Sequence, residues 1–220
     1  MAKILVIVEN DDVIEEQNLA QITRELVVEK IDTVIFEPIG GFPRELPTGA
    51  AGLVVGGGLP SVNDPKGWIS SEAELVRQAA AAQVPILGIC FGHQLIAKAF
   101  GEEVVRREPR VGFADIKKVE DDPLFSGLPS LWRSPIYHRD RVESVPEGFK
   151  LIATSDYCAI QAMRHTELPI WTVQFHPEIG FGINDRFSQP VGEWSDESAF
   201  EPGPNRRLID NFIEICYRGL

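Results

Sequence analysis

Val84-Pro85-Ile86-Leu87-Gly88-Ile89-Cys90-Phe91-Gly92-His93-Gln94 carries most of what this sequence says about its fold. Val84 to Ile89 is an unbroken apolar run, the pattern of a strand covered on both faces. A helical pattern takes over from about Gly92 to Phe100, with Gly101 as its stop. The same alternation recurs upstream. Lys3 to Val8, Thr33 to Phe36 and Gly52 to Val55 are further apolar runs. Between the first two, Ile14, Leu19, Ile22, Leu26 and Val27 predict a helix over Val13 to Lys30, capped by Asp11 or Asp12. Ser70 or Ser71 is placed to cap another, ending near Ala82. Strands alternating with helices imply parallel pairing and right-handed crossovers. The expected class is α/β: an open doubly wound, flavodoxin-like, mostly parallel sheet with helices on both faces.

Past Gly101 the pattern shortens. Glu103 to Arg107, Gly112 to Val119, Arg141 to Val145, Lys150 to Thr154 and Ala159 to Met163 are brief runs between turn residues, and predict a small antiparallel addition. Ile170 to Phe175 is again a buried-type strand, and Arg206 to Tyr217 a closing helix. Residues 1–220 read as a single domain, with 179–205 as an insertion rich in Gly, Pro, Ser and acids. Its aromatics, Phe181, Phe187, Trp194 and Phe200, suit either a surface excursion packed on itself or a lid or docking surface.

Composition narrows the classes. The chain has 220 residues, 44% hydrophobic and 25% charged, which argues against disorder, collagen and coiled coil. Its charge is 21 − 33 = −12, and no run of Lys and Arg exceeds a pair, so strong non-specific binding to nucleic acid or anionic membrane is not expected. Cys90, Cys158 and Cys216 are an odd count without a C-x-x-C spacing, which points to a reducing, cytoplasmic compartment. The first apolar run is too short for a signal segment, and the uncharged stretch Ala79 to Ala97 holds Gln83, Pro85, His93 and Gln94, a poor membrane span. No histidine pair has metal-ligand spacing, so no metal is expected. The acids at Glu9, Asp11 and Asp12, and at Glu120, Asp121 and Asp122, read as helix caps and solvated turns.

Cys90 falls where the strand turns into the helix. A nucleophile there sits on a tight turn at the carboxyl end of the sheet, with Gly88 and Gly92 letting the backbone bend. The helix N-terminus favours thiolate, and the Phe91 N–H points towards an oxyanion on an attacked carbonyl. The plainer alternative is a buried cysteine in a glycine-rich packing turn. A thiol nucleophile needs a base. His93 is too close along the helix to face Cys90, His165 reads as surface, and His138 is ambiguous. His176 follows a buried strand directly, and Glu178 can reach its ring past Pro177. Gly56-Gly57-Gly58-Leu59-Pro60-Ser61 lacks the spacing of a phosphate loop; it is either a flexible turn or a source of backbone donors for an oxyanion.

Together, Gly88-Ile89-Cys90-Phe91-Gly92-His93-Gln94, Gln174-Phe175-His176-Pro177-Glu178 about 80 residues further on, and the upstream Gly-Gly loop resemble the class I glutamine amidotransferases, the Cys-His-Glu triad type. Ser134 to Thr154 looks most like the glutaminase domain of GMP synthetase. The resemblance implies that Cys90 attacks the side-chain amide of L-glutamine, His176 is general base then acid, and Glu178 orients His176. It implies an oxyanion hole at Gly58 and Phe91, and Gly57, Gln94, Tyr137 and His138 as substrate contacts, with no cofactor. The glycine loop departs from the family's usual Gly-Gly-Pro-x-Ser. No ATP-binding signature is present, so the resemblance implies a glutaminase passing ammonia to a separate ATP-dependent synthetase subunit. A stand-alone hydrolase of γ-glutamyl peptides, or more distantly a non-enzymatic binding module, are the alternatives.

Overall fold

The runs Ile4–Val8, Leu53–Val55 and Ile86–Ile89 carry no polar side chain because the sheet is covered on both faces there. In the computed structural model, which describes residues 4–8, 32–36, 43–179 and 200–218, Leu5, Val54, Leu87 and Ile89 face one core, and Val6, Val8, Leu53, Val55 and Ile86 face the other. Strand residues alternate faces, so two buried faces leave no polar position in the run. β1 (Ile4–Val8), β2 (Asp32–Phe36), β3 (Ala50–Val55), β4 (Ile86–Ile89) and β9 (Ile170–Val173) pair in parallel. Helices α1 (Gly67–Ala81) and α2 (Phe91–Ala99) fill one core. α3 (Pro202–Arg218) fills the other, where Leu208, Ile209, Phe212, Ile215 and Cys216 form a helical apolar stripe.

The expectation of a mostly parallel sheet is corrected. β5 (Val104–Lys118), β6 (Leu131–Val142), β7 (Phe149–Thr154) and β8 (Ala162–His165) continue the same sheet, in the order β2-β1-β3-β4-β9-β8-β7-β5-β6. Four strand pairs are parallel and four antiparallel, and the antiparallel half holds the longest strands. The sheet is mixed, and its antiparallel part is not a small addition. Its size was hidden because β6 mixes Pro135 and Asp140 with Trp132, Ile136 and Val142, so half of its pattern reads as loop. Beyond Lys117 and Lys118, β5 pairs with β6 alone, so the two form a long ribbon.

Several local expectations also shift. α1 begins at Gly67 behind Lys66, with no side-chain cap, so neither Ser70 nor Ser71 is the cap. Asp122 is not a solvated turn residue. Its carboxylate is buried and accepts from the Trp171 indole at 2.8 Å and the Leu124 N–H at 2.9 Å, with Arg164 at 3.3 Å. The helix expected over 13–30, the acids at 9, 11 and 12, and the aromatics at 181, 187 and 194 lie outside the described residues. Phe200 is buried, its ring 5.0 Å from that of Phe113. Among the described residues no helix is long and apolar enough to cross a membrane. All three cysteines are buried and unbridged.

Candidate active site

Parallel neighbours end on the same rim of a sheet. β4 and β9 are paired through Ile89 and Val173, so Cys90 and His176, one and three residues beyond that register, leave the sheet together. Cys90 is tied to the neighbouring strand by its N–H, which donates to Val173 O at 2.8 Å. It is also the residue that carries the turn, with φ 50° and ψ −98°. Holding a non-glycine residue there costs on the order of 1–3 kcal/mol. From sequence, the bend belongs to Gly88 and Gly92. In the structure these glycines serve close packing instead. A Cβ on Gly92 would lie 2.1 Å from Val55 O, and one on Gly88 2.7 Å from Gly92 O. They let α2 press against β3 and β4, and that packing fixes the strained cysteine at the helix N-terminus.

His176 is buried, and its Nδ1 meets Glu178 Oε1 at 2.6 Å. Burial by itself lowers the pKa of the ring; the Glu178 carboxylate and the adjacent Cys90 sulfur outweigh it and hold the imidazole well above its ordinary value. The third element comes from the far end of the sheet. Tyr137, on β6, offers its carbonyl oxygen to Cys90 Sγ at 3.5 Å and to His176 Nε2 at 3.4 Å, and His176 N–H donates to Pro135 O at 2.9 Å. β6 therefore folds back over the ends of β4 and β9. A backbone acceptor has no side-chain signature, and sequence reading missed it.

A cavity of about 310 Å³ opens over the thiol, walled by Gly58, Leu59, Gln94, Arg110 and the Tyr137 to Asp140 segment. Gly58 lines it; Gly57, one residue earlier, is buried and does not. Phe91 supplies the first N–H of α2, which has no acceptor within its own helix. Gln94 donates both amide hydrogens, to Asp140 O at 2.8 Å and Gln174 Oε1 at 3.1 Å. His138 reaches the wall, but both its nitrogens are engaged. Nδ1 donates to Asp140 O at 3.1 Å and Nε2 accepts from the Tyr157 hydroxyl at 2.8 Å. Burial chiefly lowers its pKa to about 3. His93 points away, to Thr172 Oγ1 at 2.8 Å, and burial followed by the repulsion of His138 lowers it to about 3. His165 packs between Phe100 and Phe149 and accepts from the Glu167 and Leu168 N–H groups. Ser61 is a turn residue, its hydroxyl accepting from the Asn63 N–H at 3.2 Å. Among the described residues no cluster of His, Cys, Asp and Glu is disposed to hold a metal.

The family model for glutamine amidotransferase class-I matches residues 12–187. The chain belongs to the class I glutamine amidotransferases. Members of this family are enzymes of amide nitrogen transfer, in keeping with a thiol, an imidazole and a carboxylate on one rim. The chain is 45% identical over 173 residues to a glutamine-hydrolysing GMP synthase subunit from Archaeoglobus fulgidus, covering 75% of each protein. It is 38% identical over 176 residues to the corresponding subunit from Methanopyrus kandleri, covering 79% of this chain and 80% of that protein. The crystal structure of a glutamine amidotransferase from Thermotoga maritima superposes with a TM-score of 0.79 over 98% of each chain; at 20% identity it speaks for the fold alone.

Proposed function

We propose that this amidotransferase is the glutaminase subunit of a two-subunit GMP synthase, with Cys90, His176 and Glu178 as its catalytic triad. The observation that carries the reading is the convergence of the strained Cys90 with the His176–Glu178 pair held at 2.6 Å. The Cys90 sulfur, as thiolate beside the imidazolium, adds to the γ-carbonyl carbon of L-glutamine. The negative charge moves to the carbonyl oxygen, which the Gly58 and Phe91 N–H groups receive. As the tetrahedral adduct collapses, the C–N bond breaks and His176 gives its Nε2 proton to the departing nitrogen, releasing ammonia and leaving a γ-glutamyl thioester. Neutral His176 then takes a proton from water. The hydroxide adds to the thioester carbon, the C–S bond breaks, and glutamate leaves. Glu178 keeps Nδ1 protonated and offsets the charge on the ring in both halves. Gln94 has both amide hydrogens in use, so its Oε1 is the atom left for the substrate ammonium.

Ammonia then passes to a separate ATP-dependent synthetase subunit. We take residues 1–220 as one domain acting in the cytoplasm, with the parallel half as a doubly wound unit. The relatives' function and the buried, unbridged cysteines support this. The test is glutamine hydrolysis by the purified chain, with and without nucleotide and the synthetase subunit. Cys90→Ala should abolish turnover and covalent labelling by a γ-glutamyl chloroketone. Retention of wild-type activity by Cys90→Ala overturns the mechanism, and full activity on γ-glutamyl peptides without any partner overturns the synthetase assignment.

A further inference from the structure

In the stretch Gln174-Phe175-His176-Pro177-Glu178, His176 and Glu178 form the ion pair and Phe175 packs edge-on against Trp132. Gln174 has no part in either, yet its side chain is fully buried. A buried primary amide brings two donor hydrogens and an acceptor oxygen that need partners. The backbone is tied down first: Gln174 N–H, just past β9, donates to Gln161 O at 2.8 Å, just before β8. The side-chain Oε1 then accepts from Gln94 Nε2 at 3.1 Å. The Gln174 Nε2 has no partner among the described residues, and neither has Oε1 of the neighbouring Gln161.

The two ends of a primary amide have nearly the same shape and opposite polarity, so hydrogen bonding alone decides which way it faces. At Gln94 two acceptors make that decision. The Asp140 main-chain oxygen, which can only accept, takes one hydrogen at 2.8 Å, and Gln174 Oε1 takes the other. With both hydrogens taken, what Gln94 offers the cavity it lines is Oε1. The setting of Gln174 is favoured in turn from its other side. The Ser155 hydroxyl donates to Cys158 O at 3.2 Å, so it accepts from Gln161 Nε2 at 2.9 Å. Gln161 is thereby left with an acceptor and Gln174 with a donor, complementary ends on neighbouring residues. Three buried amides thus run in one polarity towards the substrate cavity, and in a buried network a single unmatched member is costly.

We propose that Gln174 is a positioning residue for substrate selection, which, given the amidotransferase reading above, holds Gln94 with Oε1 towards the cavity and so selects amides that carry an α-ammonium group. Without Gln174 one hydrogen of Gln94 is unmatched, and the amide is free to turn an N–H towards the substrate, where it repels an ammonium. Gln174 touches neither the Cys90 sulfur nor the His176–Glu178 pair, so its loss acts on recognition of the substrate and spares the chemical steps.

The experiment compares ammonia release from L-glutamine and from glutaramate, which is glutamine without its α-amino group, with and without the synthetase subunit and nucleotide. Active sites are counted by γ-glutamyl chloroketone labelling, so that only folded molecules enter the rates. Wild type should prefer L-glutamine in kcat/KM. Gln174→Leu should shrink that preference at least about fivefold through a higher KM for L-glutamine, with kcat changed less than about threefold. Gln174→Met has a flexible side chain of similar volume without the acceptor, and gives the same reading if the leucine variant does not fold. Gln174→Glu keeps an acceptor for Gln94 Nε2 and should restore the preference to within about twofold of wild type. Thr172→Val removes another buried polar partner from β9, that of His93, and should leave the preference unchanged. An unchanged preference in Gln174→Leu or Gln174→Met overturns the proposal. So does an equal loss in Gln174→Glu, or a wild-type chain that hydrolyses both amides alike. Absence of L-glutamine hydrolysis by the wild-type chain, with and without the synthetase, sinks the amidotransferase reading itself and this role with it.

Discussion

Gly92→Ala tests whether packing under the cysteine sets the chemistry. The added Cβ would stand 2.1 Å from Val55 O and 2.8 Å from the Val55 carbonyl carbon. Ordinary contact needs more than 3.0 Å, so the start of α2 must back away from β3 by about 1 Å. The bond from Gly92 N–H to Gly56 O, now 3.1 Å, stretches with it. Cys90 is two residues away, its N–H is pinned to Val173, and its φ is already strained, so it cannot absorb the shift without moving its sulfur relative to His176. A displacement of about 1 Å in a reacting group costs about 100-fold in rate. Overpacking of this kind costs on the order of 1–3 kcal/mol of stability. The assay is kcat/KM for glutamine hydrolysis beside urea unfolding, with Gly67→Ala as control. A Cβ on Gly67 meets nothing within 4 Å, so that variant should match wild type in rate. Near-normal kcat/KM for Gly92→Ala at unchanged stability would refute the idea that close approach of α2 positions the thiol.

Glu178→Gln removes the carboxylate that raises the His176 pKa, so the imidazolium should give up its proton at lower pH. The basic limb of the pH–rate profile should move down, with kcat lowered about 10–100-fold; an unmoved limb tells against the ion pair. For stability the sign of His176 is the usual one for a raised histidine: its contribution is complete below about pH 6.5 and fades as pH rises through its folded value. His93 and His138 act in the opposite sense. Both stay neutral in the folded chain down to about 3 while the unfolded chain protonates near 6.5, so stability should fall with acid across that window. The slope is about 1.4 kcal/mol per pH unit for each fully titrating ring. Urea melts at stepped pH should show His93→Asn reducing the slope by that amount, and an unchanged slope contradicts it. Asp122→Ala strands Arg164 and the Trp171 indole without their acceptor, and should destabilise by about 3–5 kcal/mol in urea unfolding while kcat per folded molecule is kept. A loss below about 1 kcal/mol would mean that Asp122 is not holding that corner.

Local pattern explains what was legible. Ile86 to Ile89 and Ile170 to Val173 are buried on both faces, and such strands announce themselves as apolar runs. Cys90 and the His176–Glu178 pair stand directly at their ends, so motif and strand pointed to the same place. What escaped depends on partners far along the chain. Asp122 looks like a turn acid until Arg164 and Trp171, more than 40 residues on, surround it. β6 reads as loop because Ser134, His138 and Asp140 are polar, yet all three are buried against distant groups. His138 is an instance: Tyr157 and the Asp140 carbonyl take its two nitrogens, and nothing in the sequence around Tyr157 signals the pairing.

The mixed sheet is what makes the site possible. Two parallel strands can bring a cysteine and a histidine to one rim, but a purely parallel, open sheet leaves that rim uncovered on the side facing solvent. Here the antiparallel strands carry the sheet onward until β6 returns across the same rim, and its Tyr137 carbonyl stands within 3.5 Å of the sulfur and 3.4 Å of the ring. That oxygen cannot be changed by substitution, and it accepts only while β6 keeps its register with β5, Val111 opposite Tyr137. The strand that completes the chemistry of the thiol and imidazole through Tyr137 also walls the mouth of the cavity through His138, Arg139 and Asp140, so a slip of its register is felt at both.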